Sequence, residues 1–140
     1  MLRILAFDIG ERRIGVAVSD PLGITAQGIE TYTRTDDLQK DVAHLLSLAN
    51  GYKPVKLVFG MPRNMDGSYG MQAEYTKAFA EEVLKGWDGD SAFWDERLTT
   101  ASARRVLIEA DMRRDKRKGV IDKVAAVLIL QSYLDAKGNT

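Results

Sequence analysis

The stretch RILAFDIGERRIGVAVSD (Arg3–Asp20) decides the fold. Side chains of a strand alternate between faces, so Ile4, Ala6 and Asp8 fall on one face and Leu5 and Phe7 on the other. Apolar residues on both faces predict a central strand. After the turn GERR comes IGVAVSD, where Ile14, Val16 and Val18 alternate with the small Gly15 and Ala17; this predicts a second strand, hairpin partner of the first. A carboxylate, Asp8, at the end of a buried strand breaks the apolar pattern, and Arg12 and Arg13 stand in the turn beside it. It reads either as a ligand-binding acid or as a strand-end residue bonding the turn's backbone.

Working outward, ITAQGIETYTR (24–34) predicts a third strand with an irregularity at its glycine. DDLQKDVAHLLSLAN (36–50) carries Leu38, Val42, Leu45, Leu46 and Ala49 at helical spacing, with acids in the first turn and Gly51 after the end. VKLVFG (55–60) is a short buried strand, followed by a loop rich in Gly, Asn, Asp and Ser and by the helix QAEYTKAFAEEVLKG, stopped at Gly86. SAFWDE (91–96) is another strand, and TTASARRVLIEA (99–110) a helix with Thr99 as N-cap. IDKVAAVLILQSYLD (121–135) is apolar nearly all round, which predicts a mostly buried helix. The order βββαβαβαα implies an α/β fold whose mixed five-stranded sheet has its first three strands antiparallel and the rest parallel, with helices on both faces.

The chain of 140 residues is about the size of one ordinary domain, and 45% hydrophobic residues mark it as globular. It shows no repeat, linker or low-complexity segment, so a single domain over 1–140 is expected. With no cysteine, disulfides and thiolate metal sites are excluded, which fits a reducing compartment. No apolar run reaches the ~18 residues needed to span a bilayer, and the N-terminus lacks a signal-peptide pattern. A cytoplasmic protein without membrane partners is the expectation. Twenty basic and 20 acidic side chains give zero net charge, so any polyanion must be met by a local patch. DMRRDKRKG (111–119) supplies one, with Arg113, Arg114, Lys116, Arg117 and Lys118, though alone it reads equally as a solvated loop.

Three carboxylates are placed to meet. Asp8 ends the first strand, Glu96 ends the last, and Asp122 opens the terminal helix. If the two strands are parallel, all three reach the carboxyl edge of the sheet, where α/β folds hold their ligands. Crowded carboxylates raise one another's pKa values unless a cation sits between them. Hard cations such as Mg²⁺ or Mn²⁺ take oxygen ligands, and a pair of them can activate water and stabilise a leaving 3′-oxygen. Singly, Glu96 reads also as a partner for Arg97, and Asp122 as a charge favouring a helix N-terminus. The loop GMPRNMDGSYGMQ (60–72) precedes a helix, and its Arg63, Asn64, Asp66 and Ser68 suit either a phosphate or an ordinary turn. It has no match to the G-x-x-x-x-G-K-[ST] phosphate loop.

Four blocks, FDIGERRIGVAVSD, FGMPRNMDGSYGMQA, WDERLTT and KGVIDKVAAVLILQSYLD, closely resemble the YqgF/RuvX family of Holliday-junction-resolvase-like proteins over nearly the whole chain. The resemblance implies a ribonuclease-H-like fold, with Asp8, Glu96 and Asp122 at the family's catalytic, metal-binding acid positions. It also implies a nuclease that matures the 5′ end of precursor 16S ribosomal RNA, with the ribosomal particle as a further partner. The loop departs from the family's G-L-P-L-N-M-D-G at Met61 and Arg63. On this reading Arg12, Arg13, Arg63, Asn64 and Arg97 hold phosphates, and the loop from Arg113 to Lys118 guides the strand in.

Three other readings compete. A resolvase of branched DNA makes two symmetric cuts and needs a two-fold dimer, whereas an RNA nuclease works as monomer or homodimer. An actin-like or sugar-kinase-like nucleotide site also follows a strand with Asp-x-Gly, but needs a second lobe for which 140 residues leave no room. A non-catalytic RNA-binding assembly factor is the third. His44 is expected to be a bystander without a partner, Trp94 to lie in the core, and Trp87 to be available for stacking on bases.

Overall fold

In the computed structural model five strands form one sheet in the order β3-β2-β1-β4-β5. They are β1 (Arg3–Ile9), β2 (Arg13–Ser19), β3 (Ala26–Thr33), β4 (Val55–Met61) and β5 (Ser91–Asp95). The structure describes residues 2–62, 66, 68–96 and 120–138, with side chains in the last stretch described over 124–137. β1 pairs antiparallel with β2 and β2 with β3, whereas β1–β4 and β4–β5 are parallel, as the sequence predicts. The irregularity at the glycine of β3 is a bulge: Val16 pairs with Glu30 and Ala17 with Gly28, leaving Ile29 extra. The helix expected over 99–110 and the basic loop lie outside the described residues.

Alternation along the strands divides the core in two. Leu5, Phe7, Ile14, Val16, Leu57 and Phe59 point to one face and pack against α1 (Leu38–Gly51) and α2 (Met71–Lys85). The rings of Phe7 and Phe59 meet at 5.4 Å, and truncating either to Ala would cost about 3–5 kcal/mol. On the other face the middle of the sheet carries smaller residues. Ala6, Ala17 and Val58 leave room for α3 (Val120–Gly138), which buries Ala126, Val127, Leu130, Tyr133 and Leu134 against them. The helix predicted over 121–135 begins one residue earlier, at Val120, and puts Asp122 in its first turn.

α1 begins at Asp37, whose carboxylate accepts from the N–H groups of Gln39 (3.0 Å) and Lys40 (3.3 Å). Asp37 is therefore the N-cap rather than a first-turn acid. The first-turn acid is Asp41, fully buried, which accepts from Tyr32 Oη (2.8 Å), Thr35 N (3.0 Å), Thr35 Oγ1 (3.0 Å) and Arg34 Nε (3.3 Å). Burial alone would raise this carboxyl, yet the donors of Thr35, Tyr32 and Arg34 together hold it below its ordinary 3.8. Four bonds to one carboxylate fix the end of β3 to the start of α1.

Candidate active site

Because β1 and β5 both run parallel to β4, their carboxyl ends emerge at one edge of the sheet. Asp8 is the last but one residue of β1 and shares the α3 face with Ala6. Glu96 follows β5 directly, and its N–H donates to the carbonyl of Met61 (3.1 Å), carrying the β4–β5 ladder one residue further. Trp94 and Glu96 therefore face α3, while Phe93 and Asp95 face α2.

β4 lies between the two acids, and opposite Trp94 it holds Gly60. A Cβ at this glycine would stand 2.8 Å from Oε1 of Glu96 and 2.3 Å from Cδ1 of Ile129. The missing side chain is what lets the Glu96 carboxyl lie across bare backbone and hydrogen-bond with Asp8. Burial, together with the charge of Asp8, that hydrogen bond and the charge of Asp95, pushes the Glu96 carboxyl up to about 8. At neutral pH the pair therefore tends to keep a proton between its two carboxyl groups, which a bound cation would displace.

This arrangement fits a hard divalent cation. Among the described residues the donor set at this edge is oxygen only, from Asp8 and Glu96, with no histidine or cysteine. The two carboxyl groups stay together at the expense of a strongly perturbed pKa, an arrangement that a cation would relieve. They open into a cleft of about 250 Å³ against α3, walled by Trp94, Ala125, Leu128, Ile129 and Ser132. Trp94 meets Tyr133 edge to face at 5.4 Å, and its indole N–H is buried with no acceptor among the described residues.

The turn after Asp8 is held rigidly. The N–H of Gly10 donates to the carbonyl of Arg13 (2.9 Å), and a Cβ on Gly10 would stand only 2.6 Å from that oxygen. Arg34 supports the turn from β3: its backbone N–H donates to the Arg12 carbonyl (2.8 Å) and Nη1 to the Gly10 carbonyl (3.1 Å). Its guanidinium also lies over Phe79 at 4.5 Å and bonds Asp41 and the Tyr75 hydroxyl. Arg34 and Asp41 thus position the turn bearing Arg12 and Arg13, and neither stands out in the sequence as part of a site. The signal available was Asp41 itself, a charged residue one position before the buried Val42 on the helix.

Asp8 and Glu96 are brought together, and Arg12 and Arg13 stand exposed at the turn on the same edge. Asp122 falls in the first turn of α3; its side chain is outside the described residues, as are Arg63, Asn64, Arg97, Arg113, Arg114, Lys116, Arg117 and Lys118. In the loop before α2, Asp66 accepts from Ser68 N (2.9 Å), the hydrogen bond of an ordinary Asx turn. His44 has partners after all: it bonds Glu30 (2.9 Å) and stacks on Tyr32 (4.1 Å), because the bulge in β3 and the packing of α1 bring them together. Trp87 is buried, with its indole N–H on the Asp90 carbonyl (3.1 Å), so it does not offer a face for stacking. Trp94, expected in the core, lines the cleft half-buried.

Residues 2–136 match the profile of the family described as RuvX: Holliday junction resolvase. A Symbiobacterium thermophilum protein is 53% identical over 137 residues, covering 97% of this chain and 94% of its own. One from Clostridium perfringens is 51% identical over 134 residues (96% and 97%), and one from Halalkalibacterium halodurans 50% identical over 135 residues (96% of each). All three are named, provisionally, pre-16S rRNA nuclease. Among solved structures, T. thermophilus RuvC bound to a Holliday junction superposes with a TM-score of 0.63 at 13% identity, covering 100% of this chain and 98% of RuvC. The fowlpox virus Holliday junction resolvase gives 0.59 at 15% identity, covering 97% and 99%. At these identities they share the resolvase-type, ribonuclease-H-like fold.

Proposed function

The chain belongs to the RuvX family, and on that premise we propose that it is a divalent-metal-dependent nuclease that hydrolyses phosphodiester bonds in maturing the 5′ end of precursor 16S ribosomal RNA. The observation that carries this reading is the Asp8–Glu96 pair, held in contact across Gly60 and electrostatically incomplete without a cation. Asp8, Glu96 and Asp122 hold the metal, Mg²⁺ or Mn²⁺, within a single domain over 1–140. When bound, the metal supplies activation of water and stabilisation of charge on the phosphoryl group. Asp8 and Glu96 bind through their carboxyl oxygens, and Glu96 gives up its proton to do so. Arg12 and Arg13 at the edge, with Arg63, Asn64, Arg97 and the loop from Arg113 to Lys118, hold phosphates of the substrate. Among the described residues no helix is long and apolar enough to cross a membrane.

A second reading, resolution of branched DNA, is favoured by the description of the family profile. The deciding experiment offers labelled precursor 16S RNA, free and in the ribosomal particle, beside a four-way DNA junction, with Mg²⁺ or Mn²⁺. The proposal expects cleavage of RNA that stops with chelator and weakens steeply with added salt. Paired symmetric nicks in the junction, with RNA left intact, would replace it by the second reading.

A further inference from the structure

The carboxyl edge of the sheet carries a second, larger cavity that the two acids do not use. It measures about 500 Å³ and lies on the α2 face. Asp95 and Glu96 are consecutive, with side chains on opposite faces of the same strand end, so this cavity backs directly onto the acidic pair. Met61 lines it, and its carbonyl holds the Glu96 N–H at 3.1 Å. On the nuclease reading, a strand bound at Asp8 and Glu96 would present a neighbouring nucleotide to this cavity, since Asp95 in its lining is next to Glu96.

Its surfaces suit a flat, partly apolar ring. Phe93 is 39% exposed, with its ring braced against Phe59 at 5.8 Å, and Tyr69, in the loop before α2, is 59% exposed. What sets these two aromatics apart from the chain's other exposed apolar side chains is that they line one cavity, where rings of this kind can stack an unpaired base. Met61 and Ala73, both buried, make an apolar floor. The rim carries two carboxylates, Glu74 and Asp95, against one ammonium, Lys77. A rim of net negative charge repels phosphate but accepts hydrogen bonds from N–H groups, the pattern that a guanine Watson–Crick edge presents.

We propose that this cavity takes one unstacked base of the RNA strand next to the cleaved phosphate, with preference for guanine, between Phe93 and Tyr69. This rests on the nuclease reading for its place on the substrate, yet binding can be measured without cleavage. The test titrates the full-length protein, free of metal, with the fluorescent pentamers UUGUU and UUUUU, following anisotropy and the methyl resonance of Ala73. UUGUU should bind about tenfold more tightly, and only it should shift the Ala73 methyl. Phe93→Ala and Tyr69→Ala, both at exposed positions, should each weaken UUGUU about five- to tenfold and erase the preference. Asp8→Asn should keep it, so that loss of cleavage and loss of base binding are read separately. Equal affinity for the two pentamers, wild-type binding by Phe93→Ala, or a Kd for free guanosine as low as that for UUGUU would each overturn the assignment.

Discussion

Replacing Gly60 by alanine tests whether the acidic pair depends on a bare stretch of backbone. The added Cβ would lie 2.3 Å from Cδ1 of Ile129 and 2.8 Å from Oε1 of Glu96, so reaching an ordinary 3.4 Å contact requires retreats of about 1.1 Å and 0.6 Å. Both atoms end rotatable side chains, so the protein accommodates the methyl group at an overpacking cost of about 1–3 kcal/mol. That is a fraction of the roughly 5–15 kcal/mol that holds a domain folded, and the variant folds. The site is less tolerant. A ligand carboxyl must be held within about 0.5 Å of its working position, and misplacements near 1 Å cost about 100-fold in rate. The expected result is a melting temperature lowered by several degrees and cleavage at saturating Mg²⁺ or Mn²⁺ reduced about 10- to 100-fold. Gly51→Ala is the control, since nothing lies within 4 Å of its new Cβ. A folded Gly60→Ala variant that cleaves at the wild-type rate would refute the argument that this glycine lets Glu96 reach Asp8.

Further outcomes follow from the same geometry. With the Glu96 carboxyl at about 8, against 4.5 when unperturbed, the metal-free protein loses stability as pH rises through that window; fully expressed the difference is about 5 kcal/mol, and partial exposure screens it to about 2–3. Glu96→Gln should therefore melt higher than wild type at pH 8 to 9 without metal while cleaving nothing, and in wild type apparent metal affinity should climb about tenfold per pH unit below 8. Asp41→Ala leaves Arg34, Tyr32 and Thr35 without their buried acceptor and should cost about 3–5 kcal/mol by denaturant titration. Because the Asp41 carboxyl is held below 3.8, its contribution is present above that pH and fades as pH falls through its folded value. Thr76→Val removes a buried hydroxyl with no partner among the described residues, and should raise the melting temperature by about 3 °C.

The strand pattern of Arg3–Asp20 carried most of the architecture, because apolar residues on both faces state that β1 is central and covered on each side; which helix takes which side shows only in the packing. The same alternation put Asp8 on the face that Glu96 shares, so half of the pair's geometry was legible from parity alone. What was not legible depended on contacts between distant elements. Gly60 read as the end of a buried strand, and only the approach of Glu96 from β5 and Ile129 from α3 shows why a side chain is missing there. Asp41 read as a helix-start charge, because its four donors come from the end of β3 and the turn after it. His44 looked solitary because its partners, Glu30 and Tyr32, are supplied by a strand more than a helical turn away in sequence.

The central claim is that Asp8 and Glu96 form the metal-binding heart of a nuclease. Its most direct measurement compares wild type with Asp8→Asn on labelled precursor 16S RNA, at fixed Mg²⁺ or Mn²⁺ and with folding of both verified by thermal melting. The account predicts cleavage by wild type and a loss of at least about 100-fold in the variant, with RNA affinity largely kept. Full cleavage by a folded Asp8→Asn protein would contradict it.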